Sequence, residues 1–367
     1  MEQQAYLGTE SIHQLLPILR SYHPKRIFLV RGKNSYSTCG AKKIMNEALA
    51  QLTCHCADFF DFSENPKVED VEQGLQLLLQ NKAEVIVAIG GGSVLDMAKL
   101  IRFFYSYSGE ITGNTFVKQR ELLPLIALPT TSGTGAEATH FSVVYKDKVK
   151  YSVEHDDMLP DYAIIYPQFT YSNPKYLTAC TGFDALAQAI EAYWNKNANE
   201  ESDKYAVKAI QLLWDNLPLA VNTPTDEARD NVSEGSYWAG RAINITKTTA
   251  PHAFSYPFTC YYGYPHGHAV ALTFPYFAGL NIEKGSTLEV KFEALNIRKN
   301  TDWYSLFAEY TKEIGLIHTK EVDWNLILKN VNLNRLKNNP VEVKDDFQLL
   351  NKIVKEIHCR ETTQDLL

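Results

Sequence analysis

The chain has 367 residues, 45% of them hydrophobic and 22% charged, which is typical of a folded globular protein and excludes wholesale disorder. Its 36 basic and 43 acidic residues give a net charge of −7, and no dense run of Lys or Arg occurs, so the charge pattern gives no support to nucleic-acid binding. At about 150 residues per domain, the length predicts two or three domains.

The N-terminal residues and the cysteines predict a cytoplasmic location. The first residues lack the basic start and apolar core of a secretory signal, and no uninterrupted apolar stretch approaches the roughly 18 residues of a membrane span. Six cysteines show no regular framework: Cys39, Cys54, Cys56, Cys180, Cys260 and Cys359. We therefore expect reduced thiols, a cytoplasmic location and no membrane partner.

Up to about residue 170, short apolar runs alternate with segments of helical periodicity. The runs predict strands that are buried on both faces: 26–30, 84–89, 123–128 and 162–166. Apolar residues at three- and four-residue spacing predict helices at 41–52 and 68–79. This alternation predicts a parallel, doubly wound α/β domain over residues 1–170, interrupted by a hairpin at 142–153.

After residue 170 the strand signals nearly vanish, and an all-α domain is predicted over residues 171–367. Helical segments are predicted at 178–195, 201–215, 225–243, 303–314 and 342–357. The prolines are interpreted as helix boundaries: Pro218, Pro224, Pro251, Pro257, Pro265 and Pro275. The charged, Asn-rich segment 316–345 is interpreted as a solvated surface region.

Two loops that follow predicted strands carry chemistry. The glycine loop, Gly90-Gly91-Gly92-Ser93, comes directly after one strand, where a new helix would offer unpaired amides to a diphosphate. The threonine loop, 129–137, follows the next strand and contains four hydroxyls and two glycines. A tight turn could also explain the glycines, and ordinary loop composition could explain the hydroxyl residues, without any ligand. Two such loops after neighbouring strands favour a ligand at that edge of the sheet.

The helical half contains a third group of polar residues. Asp184, Gln188 and Glu191 are spaced i, i+4 and i+7, so they share one face of a predicted helix. His252 and the sequence Pro265-His266-Gly267-His268 follow later in the chain. A carboxylate with two imidazoles indicates a site for Zn²⁺ or Fe²⁺, although a lone Asp or His more often has a structural role.

These segments together resemble the iron-containing (group III) alcohol dehydrogenases of the dehydroquinate-synthase-like superfamily. The resemblance rests on four ordered motifs: 90–99, 129–137, 182–193, and His252 with 265–269. It implies a Rossmann-like dinucleotide-binding domain, a helical metal-binding domain, and hydride transfer between a nicotinamide cofactor and an aldehyde/alcohol pair. The metal would polarise the carbonyl oxygen.

The resemblance also implies roles for single residues. The expected cofactor contacts are Gly90, Gly91, Gly92, Ser93, Asp96, Thr130, Thr131 and Thr134, and the expected metal ligands are Asp184, Gln188, His252 and His266. Two positions depart from the family pattern. Gln188 stands where a His ligand is usual, and Tyr256 stands where the family has a His with a proton-relay role, so Tyr256 or His268 would carry the proton.

Further motifs resemble the phosphonoacetaldehyde reductase subgroup, which implies reduction of phosphonoacetaldehyde to 2-hydroxyethylphosphonate. Lys247, His140 and Lys150 are the cations expected to bind the phosphonate, and Lys247 is also placed among the catalytic residues. Gly32, Lys33 and Asn34 follow the first strand where NAD-specific members usually have an Asp. The positive charge there predicts NADPH tolerance or preference.

Other functions stay open at this point. The chain could be a dehydrogenase for a short-chain alcohol or a sugar acid, or a lyase of the same superfamily that consumes no cofactor. It could also be a non-catalytic binding protein that kept the fold, since positions 188 and 256 depart from the pattern. A homodimer is expected only by analogy with the family.

Overall fold

The computed structural model describes residues 3–147, 149–284, 286–297 and 302–343. The chain divides into two compact units, Met1–Pro174 with Thr225–Gly240, and Lys175–Pro224 with Arg241–Leu367. The domain division at residue 170 remains a prediction. The helix predicted at 342–357 extends beyond the described residues, and Cys359 lies outside them.

The first unit is built on a six-stranded parallel sheet in the order β1-β10-β7-β4-β2-β3. The strands of the chain are β1 (Gln4–Leu7), β2 (Arg26–Arg31), β3 (His55–Phe59), β4 (Val85–Gly90), β5 (Tyr107–Ser108), β6 (Val117–Lys118), β7 (Leu125–Pro129), β8 (Phe141–Lys146), β9 (Val149–Glu154) and β10 (Tyr162–Ile165). The four strands predicted as buried runs are confirmed as β2, β4, β7 and β10. The predicted parallel α/β fold is therefore confirmed.

Residues of β4 alternate between two cores because successive side chains of a strand point to opposite faces. Ile86 and Ala88 pack into one apolar cluster, and Val87 and Ile89 pack into the other. Helices cover both faces: α1 (Leu15–Tyr22), α2 (Ser35–Thr38), α3 (Ala41–Leu52), α4 (Val68–Asn81) and α5 (Gly92–Ser106). The helix predicted at 41–52 has the observed bounds, and the one predicted at 68–79 ends two residues later.

The predicted hairpin is formed by β8 and β9, which pair antiparallel. Its first residues are fastened to α5 by Lys99, whose side chain is fully buried. The Lys99 ammonium donates to Ala136 O at 3.0 Å, to Thr139 Oγ1 at 3.2 Å and to Phe141 O. A buried ammonium is tolerated there because these oxygens replace its lost hydration.

The second unit is helical over its described residues, as predicted. It contains α6 (Lys175–Trp194), α7 (Glu200–Asn222), the C-terminal end of α8 (Asp226–Thr246), α9 (Ala250–Tyr262), α10 (His266–Ala271), α11 (Phe274–Lys284), α12 (Ser286–Glu293), α13 (Trp303–Glu313), α14 (Trp324–Lys329) and α15 (Leu333–Leu336). In none of the described ranges does a helix have the length and apolarity to span a bilayer.

Two expectations for the helical half are wrong. Pro218 lies inside α7 and Pro257 inside α9, so neither ends a helix. Packing of these buried helices outweighs the roughly 3 kcal/mol that an interior proline costs. The segment 316–345 is also more than a solvated surface, because Ile327 and Leu336 are buried in an apolar cluster with Phe258 of α9.

Candidate metal centre and dinucleotide loops

The glycine loop and the threonine loop are brought together by the pairing of β4 with β7. Gly90 is in register with Pro129, and Thr130 N donates to Gly90 O at 2.9 Å. A Cβ placed on Gly92 would lie 2.6 Å from the Thr134 side chain, and one on Gly91 would lie 3.3 Å from Thr131 Oγ1. The loops approach this closely only because the first of them consists of glycines.

The glycine loop leads into the N-terminus of α5. Gly91 caps this 15-residue helix without a side-chain hydrogen bond, and Ser93 stands in its first turn. Backbone amides at the start of a helix, with no side chain in front of them, suit a diphosphate. Thr130 is nearly fully buried, and its carbonyl accepts from Asn173 Nδ2 at 2.9 Å, which fixes the start of the threonine loop.

The Asp96 carboxylate makes contacts inside the protein that the sequence did not predict. Its Oδ2 accepts from Val143 N at 3.0 Å, and its Oδ1 lies 3.6 Å from Lys99 Nζ. Burial raises the pKa of Asp96, while Lys99 and Lys150 act to lower it. Asp96 therefore holds the hairpin against α5, and its contact with the pyrophosphate stays a prediction.

The expected 2′-phosphate region at the end of β2 is less positive than its sequence suggests. Arg31 Nε donates to Asp58 Oδ2 at 2.7 Å, and its guanidinium lies 3.9 Å from the centre of the Phe60 ring. Lys33 Nζ lies 2.9 Å from Asp61 Oδ1, and both side chains are exposed. Gly32 N donates to Ile89 O at 3.1 Å, and Asn34 precedes α2 without capping it.

In the helical unit, three predicted ligands meet at one point. One ligand atom from each of Asp184, His252 and His266 lies within 4.8 Å of the others. His252 Nε2 is 3.1 Å from Asp184 Oδ1, and His266 Nε2 is 3.9 Å from the same oxygen. Asp184 and His252 are buried, and His266 is half-buried. One carboxylate and two imidazoles in this arrangement suit Fe²⁺ or Zn²⁺.

The helices that carry these ligands pack closely. α6 is buried almost all round, so its polar residues at 184, 188 and 191 lie inside the unit. Pro265 forms the N-cap of α10, which places His266 at the first helical position. A Cβ on Gly267 would lie 1.8 Å from Cys180 O of α6, so only glycine allows α10 to approach α6 this closely.

Gln188 is one turn after Asp184 on α6, and the state of its amide oxygen indicates whether the site suits a metal. Its Oε1 is buried and has no hydrogen-bond partner among the described residues. An unsatisfied buried amide oxygen costs about 1–3 kcal/mol, which coordination to a cation would recover. The donor set of Asp184, Gln188, His252 and His266 therefore fits a divalent metal.

Glu191 completes the centre, and the sequence analysis gave it no role. Its Oε1 hydrogen-bonds His252 Nδ1, and its Oε2 accepts from Thr249 N at 2.6 Å and from Thr249 Oγ1 at 2.8 Å. Burial alone would lower the pKa of His252, but the Glu191 and Asp184 carboxylates outweigh it and raise that pKa to about 10. Its i+7 spacing from Asp184 was the available signal.

Tyr256 and His268, the two expected proton carriers, have different surroundings. The Tyr256 ring stacks nearly parallel to His266, with 6.0 Å between ring centres. Both ring nitrogens of His268 make hydrogen bonds: Nδ1 with Tyr176 OH at 2.8 Å and Nε2 with Ile317 O at 2.8 Å. Burial also lowers the pKa of His268. These contacts favour a structural role for His268 and leave Tyr256 as the stronger candidate for proton transfer.

The three expected substrate cations do not belong to one unit. His140 immediately precedes the hairpin of the first unit and Lys150 lies on it, and His140 Nε2 is 3.1 Å from Glu154 Oε1. Lys247 lies in the helical unit, in the turn before α9, with a left-handed backbone (φ 63°). Its carbonyl accepts from Asn195 Nδ2 at 3.1 Å. Lys247 directly follows α8, and its left-handed backbone closes that helix, with Lys247 N donating to Ile243 O at 2.9 Å.

Two family models match this chain and together cover most of it. Residues 3–167 match the iron-containing alcohol dehydrogenase model, and residues 178–302 match the C-terminal model of the Fe-containing alcohol dehydrogenase family. Among curated proteins, the chain is 34% identical over 281 residues to long-chain-alcohol dehydrogenase 1 of Geobacillus thermodenitrificans, covering 75% of this chain and 71% of that protein.

Another curated relative and two solved structures are also similar to this chain. The chain is 35% identical over 270 residues to 1,3-propanediol dehydrogenase of Citrobacter freundii, covering 70% of this chain and 68% of that one. The structure of sulfoacetaldehyde reductase from Bifidobacterium kashiwanohense in complex with NAD⁺ is similar with a TM-score of 0.87 at 30% identity, covering 97% and 96% of the two chains. A 1,3-propanediol oxidoreductase structure gives 0.88 at 26% identity, covering 96% and 97%.

Proposed function

The chain belongs to the iron-containing alcohol dehydrogenase family, and from this premise we propose that it reduces phosphonoacetaldehyde to 2-hydroxyethylphosphonate. As a member of this family, the chain is an oxidoreductase that uses a nicotinamide cofactor and a divalent metal on an alcohol/aldehyde pair. The convergence of Asp184, His252 and His266, with the unsatisfied Gln188 oxygen one helical turn from Asp184, supports the metal-dependent dehydrogenase chemistry, and the similarity to sulfoacetaldehyde reductase supports the anionic aldehyde.

Each residue of the centre has a separate task. Asp184, Gln188, His252 and His266 would hold the metal, which supplies Lewis-acid polarisation of the substrate carbonyl when bound. Glu191 accepts from Nδ1 of His252, so Nε2 of that ring is left to bind. In the first unit, the glycine loop would hold the pyrophosphate, and Thr131 and Thr134 would contact the ribose and nicotinamide.

Reduction of an aldehyde leaves an alkoxide oxygen that needs a proton. We assign this proton to the hydroxyl of Tyr256, since both ring nitrogens of His268 are engaged elsewhere. Stacking on His266 holds the Tyr256 ring beside a metal ligand. A phenol is a stronger acid than an aliphatic alcohol, so its hydroxyl can donate a proton to the alkoxide.

The anionic substrate is supported by one relative and one residue. The similar sulfoacetaldehyde reductase acts, by its name, on a two-carbon aldehyde that carries a sulfonate, and phosphonoacetaldehyde carries a phosphonate at the same place. Lys247 is the cation we assign to this anion, because it lies five residues before His252, in the turn that leads into α9. His140 and Lys150 are kept as weaker candidates, since His140 is already paired with Glu154.

The test is a substrate comparison on protein whose bound metal has been quantified. Oxidation of NADH and NADPH would be followed with phosphonoacetaldehyde, sulfoacetaldehyde, acetaldehyde and a sugar-acid aldehyde. We expect kcat/KM for phosphonoacetaldehyde to exceed that for acetaldehyde by about 100-fold, which is the effect of about two charge-assisted hydrogen bonds. A preference for sulfoacetaldehyde would favour that second candidate, and equal rates with acetaldehyde would refute an anionic substrate.

A further inference from the structure

A small polar cavity lies in the first unit, directly against the threonine loop. Besides Tyr166, whose hydroxyl donates to Gln168 Oε1, six of its lining residues carry a hydroxyl or carboxyl group: Thr131, Ser132, Glu137, Thr170, Ser233 and Ser236. Its volume of about 10 Å³ is close to the least that one water molecule, or one ion of similar radius, requires. All six residues belong to the unit that contains the sheet.

Several hydroxyl groups of this cavity already use their protons in hydrogen bonds, so toward a bound ion or water they act mainly as acceptors. Ser236 Oγ is buried and has no hydrogen-bond partner among the described residues. The Ser132 and Ser233 hydroxyls are 2.9 Å apart, so one of their two protons serves this contact, and Thr170 Oγ1 donates to Pro167 O at 2.7 Å. A hydroxyl whose proton is committed can offer a guest only its oxygen lone pairs.

Glu137 adds a charge that the surrounding protein balances incompletely. Its side chain is 3% exposed, and burial raises its pKa to about 7, with Lys99 acting to lower this value and Asp96 to raise it. The Lys99 ammonium already donates to Ala136 O, Thr139 Oγ1 and Phe141 O. No lysine, arginine or histidine is among the described residues that line the cavity. A buried carboxylate without a close countercharge is costly.

We infer that this cavity binds one dehydrated K⁺ ion, held by the Glu137 carboxylate and the surrounding hydroxyl oxygens. The ligands are all hard oxygens, and K⁺ has nearly the radius of a water molecule, so it fits the volume. Because Thr131 and Ser132 of the threonine loop line the cavity, the ion would hold that loop in its observed shape. This site shares no residue with the metal centre and does not depend on the proposed substrate.

The direct test is diffraction from crystals of the wild-type protein grown in RbCl without potassium or sodium, because Rb⁺ replaces K⁺ and scatters anomalously. We expect an anomalous peak in the cavity within ligand distance of Glu137 and Ser236. Density in the cavity without an anomalous signal would mean a water molecule and would overturn the inference.

A solution test compares thermal unfolding in KCl and in choline chloride at equal ionic strength. We expect KCl to raise the wild-type Tm by about 2 °C or more, and Glu137→Gln and Ser236→Ala each to reduce this shift. Thr273→Val is the matched control, since it removes another buried hydroxyl that has no partner within the described part of the chain. An equal Tm in both salts, or an undiminished shift in Ser236→Ala, would contradict the site.

Discussion

Glu191 and His252 form a buried hydrogen-bonded pair in which a Glu191 carboxylate oxygen faces Nδ1 and leaves Nε2 of the ring 3.1 Å from Asp184. We expect Glu191→Gln to weaken metal binding by about 10- to 100-fold, because the amide no longer fixes the tautomer or raises the basicity of the imidazole. Competition with a metal-sensitive chelator measures this affinity. Glu309→Gln, an exposed exchange on α13, should leave it unchanged, and equal affinities in both variants would contradict the role of Glu191.

Gln188 is predicted to bind the metal through its amide oxygen. Gln188→Ala should lower the affinity by about 10-fold, and Gln188→His should raise it, because an imidazole is the stronger ligand for Fe²⁺ or Zn²⁺. The rate of metal loss to excess chelator orders the three proteins. If Gln188→Ala held metal as firmly as the wild type, Gln188 would not be a ligand.

His266 and His268 are two residues apart in sequence but should respond differently to substitution. His266→Ala should remove bound metal, as should His252→Ala. His268→Asn should retain the metal while lowering the free energy of unfolding by about 1–2 kcal/mol, because it loses two partly buried hydrogen bonds. Metal content and denaturant unfolding of each variant test this. Metal retained in both alanine variants would exclude the proposed centre.

Asp58 is predicted to limit the use of NADPH, because it already engages Arg31. Asp58→Asn should free the guanidinium for a 2′-phosphate and raise the ratio of kcat/KM for NADPH over NADH by about 10-fold. Asp215→Asn, at an exposed position on α7, is the control.

The reverse shift, toward NADH, is expected from Gly32→Asp combined with Ser35→Ala, since a Cβ at position 32 would lie 2.1 Å from Ser35 Oγ. A cofactor ratio unchanged in both variants would refute this explanation of specificity.

Lys247→Gln should raise KM selectively for anionic aldehydes. Gln keeps a long polar side chain, and its free-energy cost in the left-handed backbone conformation is similar to that of Lys. The substitution therefore removes the positive charge and changes little else at position 247. We expect kcat/KM to fall about 10-fold or more for phosphonoacetaldehyde and little for acetaldehyde. Lys312→Gln on α13 serves as the control. Equal losses on both substrates would show that Lys247 does not bind the anion.

The sheet was predictable because its strands are continuous apolar runs, and the loops because glycines and hydroxyls follow two of those runs directly. The metal ligands followed from motif resemblance, and the structure brings three of them together.

What the sequence could not show were partners far apart in the chain. His268 meets Tyr176 and Ile317, which are 92 and 49 residues away, and Asp96 meets Val143, 47 residues away. Local spacing carries no signal for such contacts, so residues with structural tasks were interpreted as functional.

The contact between Gly267 and the Cys180 carbonyl has a consequence for how this centre tolerates change. At position 188 this chain carries Gln where the family pattern has His, whereas position 267 has no room for a single methyl group. Mutational loss of the centre can therefore begin at a residue with no donor atom in its side chain. A search of variants confined to His, Asp and Gln would overlook it.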